Sequence, residues 1–288
     1  MALAAAAVLP GRALAAKNQK GIIGVQLYSV RDDMGRDPLG SLEQVAKMGY
    51  KYVEHASYVD RKFYGYPAKE FRKILDGYGL SMVSGHTVMS RRHWDEAKND
   101  FSDSWKMTVE DAGILGQKYV VSPSMDNSMR KSYDDFRHYM DIFNKCGELC
   151  KTQGMKFGYH NHDFEFSEKL NNEKLFDIIM KSIDPELVVI QLDMGNLYNG
   201  GAVALDVVNQ YPGRFENLHV KDEIAGTGNE KYESTILGAG IVNAQQVVDL
   251  ATKIGGTKVY IIEQESYQGK TPMDCISEDL KIMKKWGY

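Results

Sequence analysis

From Gly21 onward the chain alternates short apolar runs with longer amphipathic ones, eight times over, with no linker and no shift in composition. The short runs read as buried strands: Ile22–Leu27, Lys51–Val53, Leu80–Ser84, Tyr119–Val121, the run beginning at Lys156, Leu187–Leu192, Phe215–Val220 and Val259–Ile262. Helical periodicity fills the gaps at Pro38–Met48, Pro67 to about Tyr78, His93 to about Leu115 with a break near Ser102, and Tyr133 to about Thr152. It resumes at Lys174–Ser182, Gly201 to about Gln210, Asn243 to about Ile254 and Pro272–Trp286. Gly49, Gly79, Gly116 and Gly154 supply the stops. The longest irregular segment is Asp222–Gly240. Eight strand–helix units predict an α/β protein, a single (β/α)8 barrel over residues 21–288, close to the typical size of about 250 residues. The competing architecture, a doubly wound open sheet, usually has a glycine-rich phosphate turn after its first strand. Gln26-Leu27-Tyr28-Ser29-Val30-Arg31 contains no glycine.

In such a barrel the active site lies at the C-terminal ends of the strands. Here those ends carry Glu54, His86, His160, Asp193, His219 and Glu263. Strands five to eight each deliver one metal-competent side chain: His160, Asp193, His219 and Glu263. A mixed imidazole and carboxylate set suits Mn²⁺, Zn²⁺, Fe²⁺ or Co²⁺ better than Ca²⁺, with Mn²⁺ or Zn²⁺ first and Mg²⁺ also admissible. Without a cation, clustered carboxylates would repel and carry a desolvation cost. Each residue also has a plainer reading. A histidine can hydrogen-bond in a loop, Asp193 can cap the Met194-Gly195-Asn196 turn, and Glu263 can pair with a lysine. Four such residues at the same place in four consecutive strands favour one divalent metal ion. His55, His93 and His138, in a loop or on helical patterns, take the plainer reading. Tyr28, Glu54 and His86 are candidates for contacting substrate. Glu263, His162, Glu165 and Lys221 are candidates for moving protons or stabilising charge.

The segments Gly24-Val25-Gln26-Leu27-Tyr28-Ser29, Gly49-Tyr50-Lys51-Tyr52-Val53-Glu54, Tyr159-His160-Asn161-His162-Asp163-Phe164-Glu165, Leu192-Asp193-Met194-Gly195-Asn196, Leu218-His219-Val220-Lys221-Asp222 and Ile262-Glu263-Gln264-Glu265 resemble the xylose isomerase-like TIM-barrel superfamily, the sugar phosphate isomerases/epimerases. The resemblance covers essentially all of residues 21–288. It implies a divalent-metal-dependent isomerase or epimerase acting on a keto-sugar through α-proton abstraction and a metal-stabilised enediolate. Ketosugar epimerases of the family bind their metal with Glu, Asp, His and Glu from strands five to eight. Asp193, His219 and Glu263 match that set, and His160 stands where the first Glu would be. The family's paired glutamate bases are thus reduced to Glu263. A lyase, dehydratase or 3-keto-glycoside deglycosidase acting through the same enediolate is the alternative, and a barrel that binds sugar without catalysis is another. Endonuclease IV-like repair enzymes share the fold but need a histidine three residues after the strand-six Asp, where this chain has Asn196.

A net charge of -4 offers no electrostatic footprint for nucleic acid. The expected partner is a small sugar, and the sequence leaves room for a homo-oligomer. Cys146, Cys150 and Cys275 show no metal-binding or redox spacing and read as apolar packing. Residues 1–20 differ from the rest. Leu3–Leu9 is an Ala-rich apolar run too short to span a bilayer, and Ala13 and Ala15 fit a signal-peptidase site. They are expected to be the remnant of an export signal, placing the enzyme in the periplasm, or else a disordered tail on a cytoplasmic protein. No membrane span is expected elsewhere.

Overall fold

The structure, a computed structural model, describes residues 21–228 and 231–288. The export-signal reading of residues 1–20 lies outside the described residues. Eight parallel strands close into a barrel: β1 (Ile22–Gln26), β2 (Tyr52–His55), β3 (Ser81–His86), β4 (Tyr119–Ser122), β5 (Lys156–His160), β6 (Val188–Asp193), β7 (Asn217–Val220) and β8 (Val259–Ile262). Each strand pairs with its successor, and β8 pairs with β1, with Ile22 opposite Val259. The helices between them are α1 (Pro38–Met48), α2 (Ala68–Tyr78), α3 (Asp103–Leu115), α4 (Tyr133–Lys151), α5 (Leu175–Ser182), α6 (Ala204–Gln210), α7 (Ala244–Leu250) and α8 (Pro272–Lys285). No described helix is long and apolar enough to cross a membrane.

Strand residues alternate between two environments, as the two-residue period requires. Val188, Ile190 and Leu192 of β6 join the large core shared with the helices, as do Tyr260 and Ile262 of β8. The opposite parity points into the barrel. There Val83, Tyr119, Val121, Val189, Val259 and Ile261 form a separate apolar cluster, the packed interior layer of such barrels. Gly24 and Gly158 share this parity because the interior is full: a Cβ at Gly24 would lie 2.8 Å from Ile261 Cδ1, and one at Gly158 would lie 3.0 Å from Val121 Cγ2. Further along the strands, the same parity turns polar, and that layer is the site.

Three expectations need correction. The expected break near Ser102 is present, but the stretch from His93 to it is not α-helical. Arg91–His93 forms a single 3₁₀ turn, Trp94–Asp95 pairs antiparallel with Asp100–Phe101, and α3 begins only after Ser102, whose hydroxyl accepts from Trp105 N–H. Trp94 and Phe101 mimic helical spacing, but their rings pack edge to face at 4.9 Å across a hairpin. The segment Asp222–Gly240 is not wholly irregular, since Asp222–Ala225 pairs with Tyr232–Thr235; its polar residues conceal the alternation. His55 closes β2 rather than lying in a loop, buried edge-on against Phe63 at 4.8 Å.

Gly147 places α4 against the approach to β6. Substitution by Ala removes a helix-propensity penalty of about 1 kcal/mol, but the new Cβ would lie 2.6 Å from Leu187 O and 2.7 Å from Leu187 Cβ. Overpacking of this kind costs roughly 1–3 kcal/mol, so the clash should win. Gly147→Ala is expected to lower the melting temperature, and a variant melting at or above wild type would show that the helix can lift away without cost.

Candidate metal and active site

Register brings the polar strand ends together. Asp193 is the direct partner of His219 across β6 and β7, and His160 is the partner of Gln191 across β5 and β6. One ligand atom from each of His160, Asp193, His219 and Glu263 can be chosen so that all four lie within 4.8 Å of one another. All four residues are buried. His86, His160 and His219 form a second group of the same kind, so His86 borders the cluster.

The two imidazoles of this cluster are held from behind. His219 Nε2 donates to Glu54 Oε1 at 2.6 Å, which leaves Nδ1 facing Glu263 Oε2 at 3.2 Å and Asp193 Oδ2 at 3.9 Å. His160 Nδ1 donates to Gln191 Oε1 at 3.1 Å, which leaves Nε2 facing Asp193 Oδ2 at 3.9 Å. Gln191 Oε1 also receives His86 Nε2 at 2.7 Å. Metal-binding histidines characteristically give their other nitrogen's proton to a carboxylate or carbonyl, which fixes tautomer and ring orientation. Both imidazoles have that arrangement.

Glu54 is the anchor behind the cluster. Its carboxylate accepts from Gln26 Nε2 at 2.8 Å, from Gln191 Nε2 at 2.8 Å and from the Ser84 hydroxyl. Burial alone would raise its pKa, but the imidazoles of His86 and His219 outweigh burial and hold the carboxyl well below its usual range. Burial likewise opposes charge on His219, yet Glu263 and Glu54 push its pKa up to about 10. Burial, reinforced by the neighbouring imidazoles, holds His160 well below its usual value and therefore neutral.

Lys221 follows β7 and is fully buried. Its ammonium lies 3.0 Å from Glu263 Oε2, 3.3 Å from Asp193 Oδ2 and 2.6 Å from Glu265 Oε2, and donates to Asn196 Oδ1 at 2.9 Å. Burial opposes this charge, but the carboxylates raise its pKa well above normal. A self-contained ion network is therefore the plain alternative to a metal site. Two features count against it. Asp193 Oδ1 accepts from the Gly195 and Asn196 backbone, whereas Asp193 Oδ2 is buried and accepts no hydrogen bond. His160 Nε2 has only the Asn196 amide at 3.5 Å. Buried polar atoms are rarely left like this. The two atoms lie 3.9 Å apart within the same cluster, so the donor set fits a divalent cation.

The cluster opens onto a cleft of about 270 Å³ whose lining includes Tyr28, His86, His160, His162, Glu263 and Glu265. Among the residues predicted to meet substrate, Tyr28 and His86 line this cleft, whereas Glu54 lies behind His219 with no exposed surface. Among the predicted proton-transfer residues, Glu263 and His162 line it, and Lys221 sits against Asp193 and Glu263 of the candidate metal cluster. Burial, with help from Lys221, lowers the His162 pKa, and its Nδ1 has no partner. Glu165 is directed away from the cleft lining. Its carboxylate receives the Tyr159 hydroxyl and His162 N–H at 2.9 Å, and burial raises its pKa to about 7. It holds the Asn161-His162 turn in place. β5 ends at His160, so His162 reaches the cleft from a loop rather than by strand parity. His93 is buried on the Trp105 ring, and His138 is exposed and pairs with Glu96 at 2.9 Å.

Sequence reasoning missed Gln191, Gln26, Ser84 and Asn196. Gln191 did carry a signal: it is the lone polar residue inside Val188–Leu192 and lies two residues before Asp193, on the same strand face.

The chain matches the family described as xylose isomerase-like TIM barrel over residues 42–286. Among curated proteins it is 24% identical over 198 residues to the inosose dehydratase of Geobacillus kaustophilus, covering 63% of this chain and 60% of that protein. It is also 24% identical over 221 residues to that of Geobacillus thermodenitrificans, covering 68% and 73%. Among solved structures, a sugar phosphate isomerase/epimerase from Parabacteroides distasonis aligns with 25% identity and a TM-score of 0.78, covering 92% of this chain and 98% of the other. The IolI protein with a bound zinc atom shares the fold at 14% identity and a TM-score of 0.70, covering 92% and 97%. The chain belongs to the xylose isomerase-like TIM barrel family.

Proposed function

We propose that this protein removes the proton beside the carbonyl of a keto-sugar, using one divalent cation held by His160, Asp193, His219 and Glu263. The observation that carries the reading is the buried Asp193 Oδ2, which accepts no hydrogen bond and is faced by His160 Nε2 and His219 Nδ1, the ring nitrogens left when their opposite nitrogens are anchored. The zinc in the IolI protein is consistent with such a site in this fold, and the donor set admits Mn²⁺ or Zn²⁺ first. When bound, the cation supplies Lewis-acid polarisation of the carbonyl and stabilisation of the enediolate charge.

The protein groups divide the remaining work. Glu263 is ionised and lines the cleft, where its carboxylate can accept the α-proton. Lys221 contributes a fixed positive charge beside Glu263 and Asp193, where negative charge on a substrate oxygen would develop. His162, whose pKa burial lowers, lines the same cleft and can pass a second proton there. Glu165 and Tyr159 position that imidazole through the loop backbone. Tyr28 and His86 border the sugar.

The enediolate can be reprotonated, as in an isomerase or epimerase, or can expel a β-substituent, as in a lyase. We favour the lyase outcome. The cleft's carboxylates, Glu263 and Glu265, both come from the end of β8, and the other ionisable groups lining it are the imidazoles of His86, His160 and His162. That composition suits abstraction by the Glu263 carboxylate and departure assisted by the His162 imidazole better than two-base epimerisation. The relatives named inosose dehydratase are, by that name, enzymes that remove water from an inosose, an outcome of the lyase kind.

The purified protein should contain about one divalent transition metal per chain. Asp193→Ala and His219→Ala should lose it while retaining a native circular dichroism spectrum. Glu54→Gln, which leaves every ligand in place, should weaken metal affinity about 10–100-fold, as loss of an outer partner typically does. Elemental analysis showing no uptake by the wild-type protein would remove the site.

Glu263→Gln should keep part of the metal affinity but lose about 10²–10⁴-fold in turnover, because an amide oxygen can ligate but cannot accept a proton. In deuterated water, the wild-type enzyme should place deuterium at the carbon beside the carbonyl of recovered substrate or isomerised product. An unsaturated product marks the lyase outcome. Turnover of Glu263→Gln at the wild-type rate would transfer the base role to His162.

A further inference from the structure

The cleft above the metal ligands is not closed on all sides. Ala56, His86 and Val88 also belong to a second, larger cleft of about 660 Å³ that runs outward over the loops after β2 and β3 and reaches α3. Six large apolar side chains are conspicuously exposed among the described residues, and three of them flank this combined cleft: Tyr28 at 42%, Val88 at 41% and Val59 at 65%. Single exposed apolar residues are ordinary, but a cluster of them on one concave surface marks a binding site.

The wall of the second cleft is built rather than incidental. Between β2 and α2 the chain folds into a three-stranded meander, Tyr58–Val59, Lys62–Phe63 and Tyr66–Pro67. Its first turn puts Asp60 and Arg61 at positive φ, 49° and 61°, an uncommon conformation for residues other than glycine. The meander is tied down at Asp111 of α3, which accepts from the Tyr58 hydroxyl at 2.7 Å and from Arg61 Nη2 at 2.8 Å and Nε at 3.0 Å. The Tyr64 hydroxyl accepts Ala56 N–H at 3.0 Å, fixing the point where the two clefts meet. The surface presented by Tyr58, Val59, Val88 and Met107 is thus held in shape before any ligand arrives.

Charge narrows the occupant. Arg61 is neutralised by Asp111. The remaining lining charges, Arg92 and Asp60, are exposed and of opposite sign. The inner cleft is lined by no lysine or arginine, and the buried Lys221 ammonium behind Glu263 and Glu265 is surrounded by carboxylates. Neither cleft offers the cluster of free cations that a phosphate needs.

We propose that the substrate is a neutral keto-sugar bearing an apolar ring as a substituent, with the sugar in the inner cleft and the ring in the outer one against Tyr58, Val59, Val88 and Met107. This rests on the keto-sugar reading above and adds the substrate class. The inner cleft alone would hold a single sugar ring; the outer one gives the substituent its own apolar surface.

The test compares phenyl 3-keto-β-D-glucopyranoside with its methyl counterpart on the full-length, metal-replete protein, by calorimetry and by methyl NMR. The phenyl compound should bind about tenfold tighter or more, the order that burial of one apolar ring provides, and should shift the methyl signals of Val59, Val88 and Met107. Val59→Asp, an exposed substitution on a turn strand, should remove most of that advantage while leaving methyl-compound affinity unchanged. Equal affinities for the two compounds, absent binding of both, unshifted methyl signals or an unaffected Val59→Asp variant would overturn the proposal. Failure of the proton-abstraction reading registers separately. In that case the phenyl compound still binds and shifts the outer methyls, but neither compound takes up solvent deuterium.

Discussion

The hydrogen bond from His219 Nε2 to Glu54, 2.6 Å long and fully buried, is the contact on which the rest of the site depends. It fixes which nitrogen of His219 faces the cluster, and together with His86 it keeps a carboxylate ionised where burial would otherwise neutralise it. Three further strands serve Glu54, through Gln26, Ser84 and Gln191. Gln191 then passes the order on, since its carbonyl oxygen accepts from His160 and from His86. Five strands are therefore linked through one carboxylate before any ligand is considered. Stability alone is a poor reason for such a network. Buried ion pairs can often be replaced by apolar residues with no loss, or with a gain of about 1–4 kcal/mol, whereas removing one partner costs about 3–5 kcal/mol. An arrangement that is fragile to single changes and unnecessary for folding is best explained by what it holds in place.

The barrel supplies the geometry at little local cost. Side chains of one parity fill its lower interior with valines and isoleucines, and the same parity, carried to the strand ends, converges on a single centre. This is why strand count, strand order and the His160, Asp193, His219, Glu263 group were legible in the sequence. Each depends on the two-residue period and on an apolar run ending in a polar side chain.

Depth and loop geometry were not legible. Glu54 and Glu263 are both acids at strand ends, but the stagger of the barrel puts Glu54 behind His219 and Glu263 at the cleft. A register shift between β2 and β3 falls at Val53 and Glu54 and adds to the offset. Period alone gives a direction, not a distance along the axis. The same limit applies to Glu165, whose position in sequence suggests the cleft but whose carboxylate is captured by Tyr159 and the His162 backbone. The outer cleft was hidden because it is built from a meander whose strands are two residues long, too short for any periodicity to appear.

The imidazole at position 160 changes the charge of the site as well as its bases. Asp193 and Glu263 together can contribute two negative charges, and His160 and His219 as neutral ligands contribute none. A dication would be balanced by this set, whereas a glutamate at position 160 would leave the set one charge more negative. Lys221 adds a positive charge within 3.3 Å of both carboxylates, offset by Glu265 at the cleft edge. Enolisation builds negative charge on a substrate oxygen, and the energy of that charge depends on the local field where little water screens it. On the proposed mechanism, exchanging a carboxylate for an imidazole would give up a second base and in return would lower the electrostatic cost of the enediolate. Such an exchange suits a reaction in which forming the anion is the demanding step and no second carboxylate is needed to finish it, as when the anion collapses by expelling a neighbouring group.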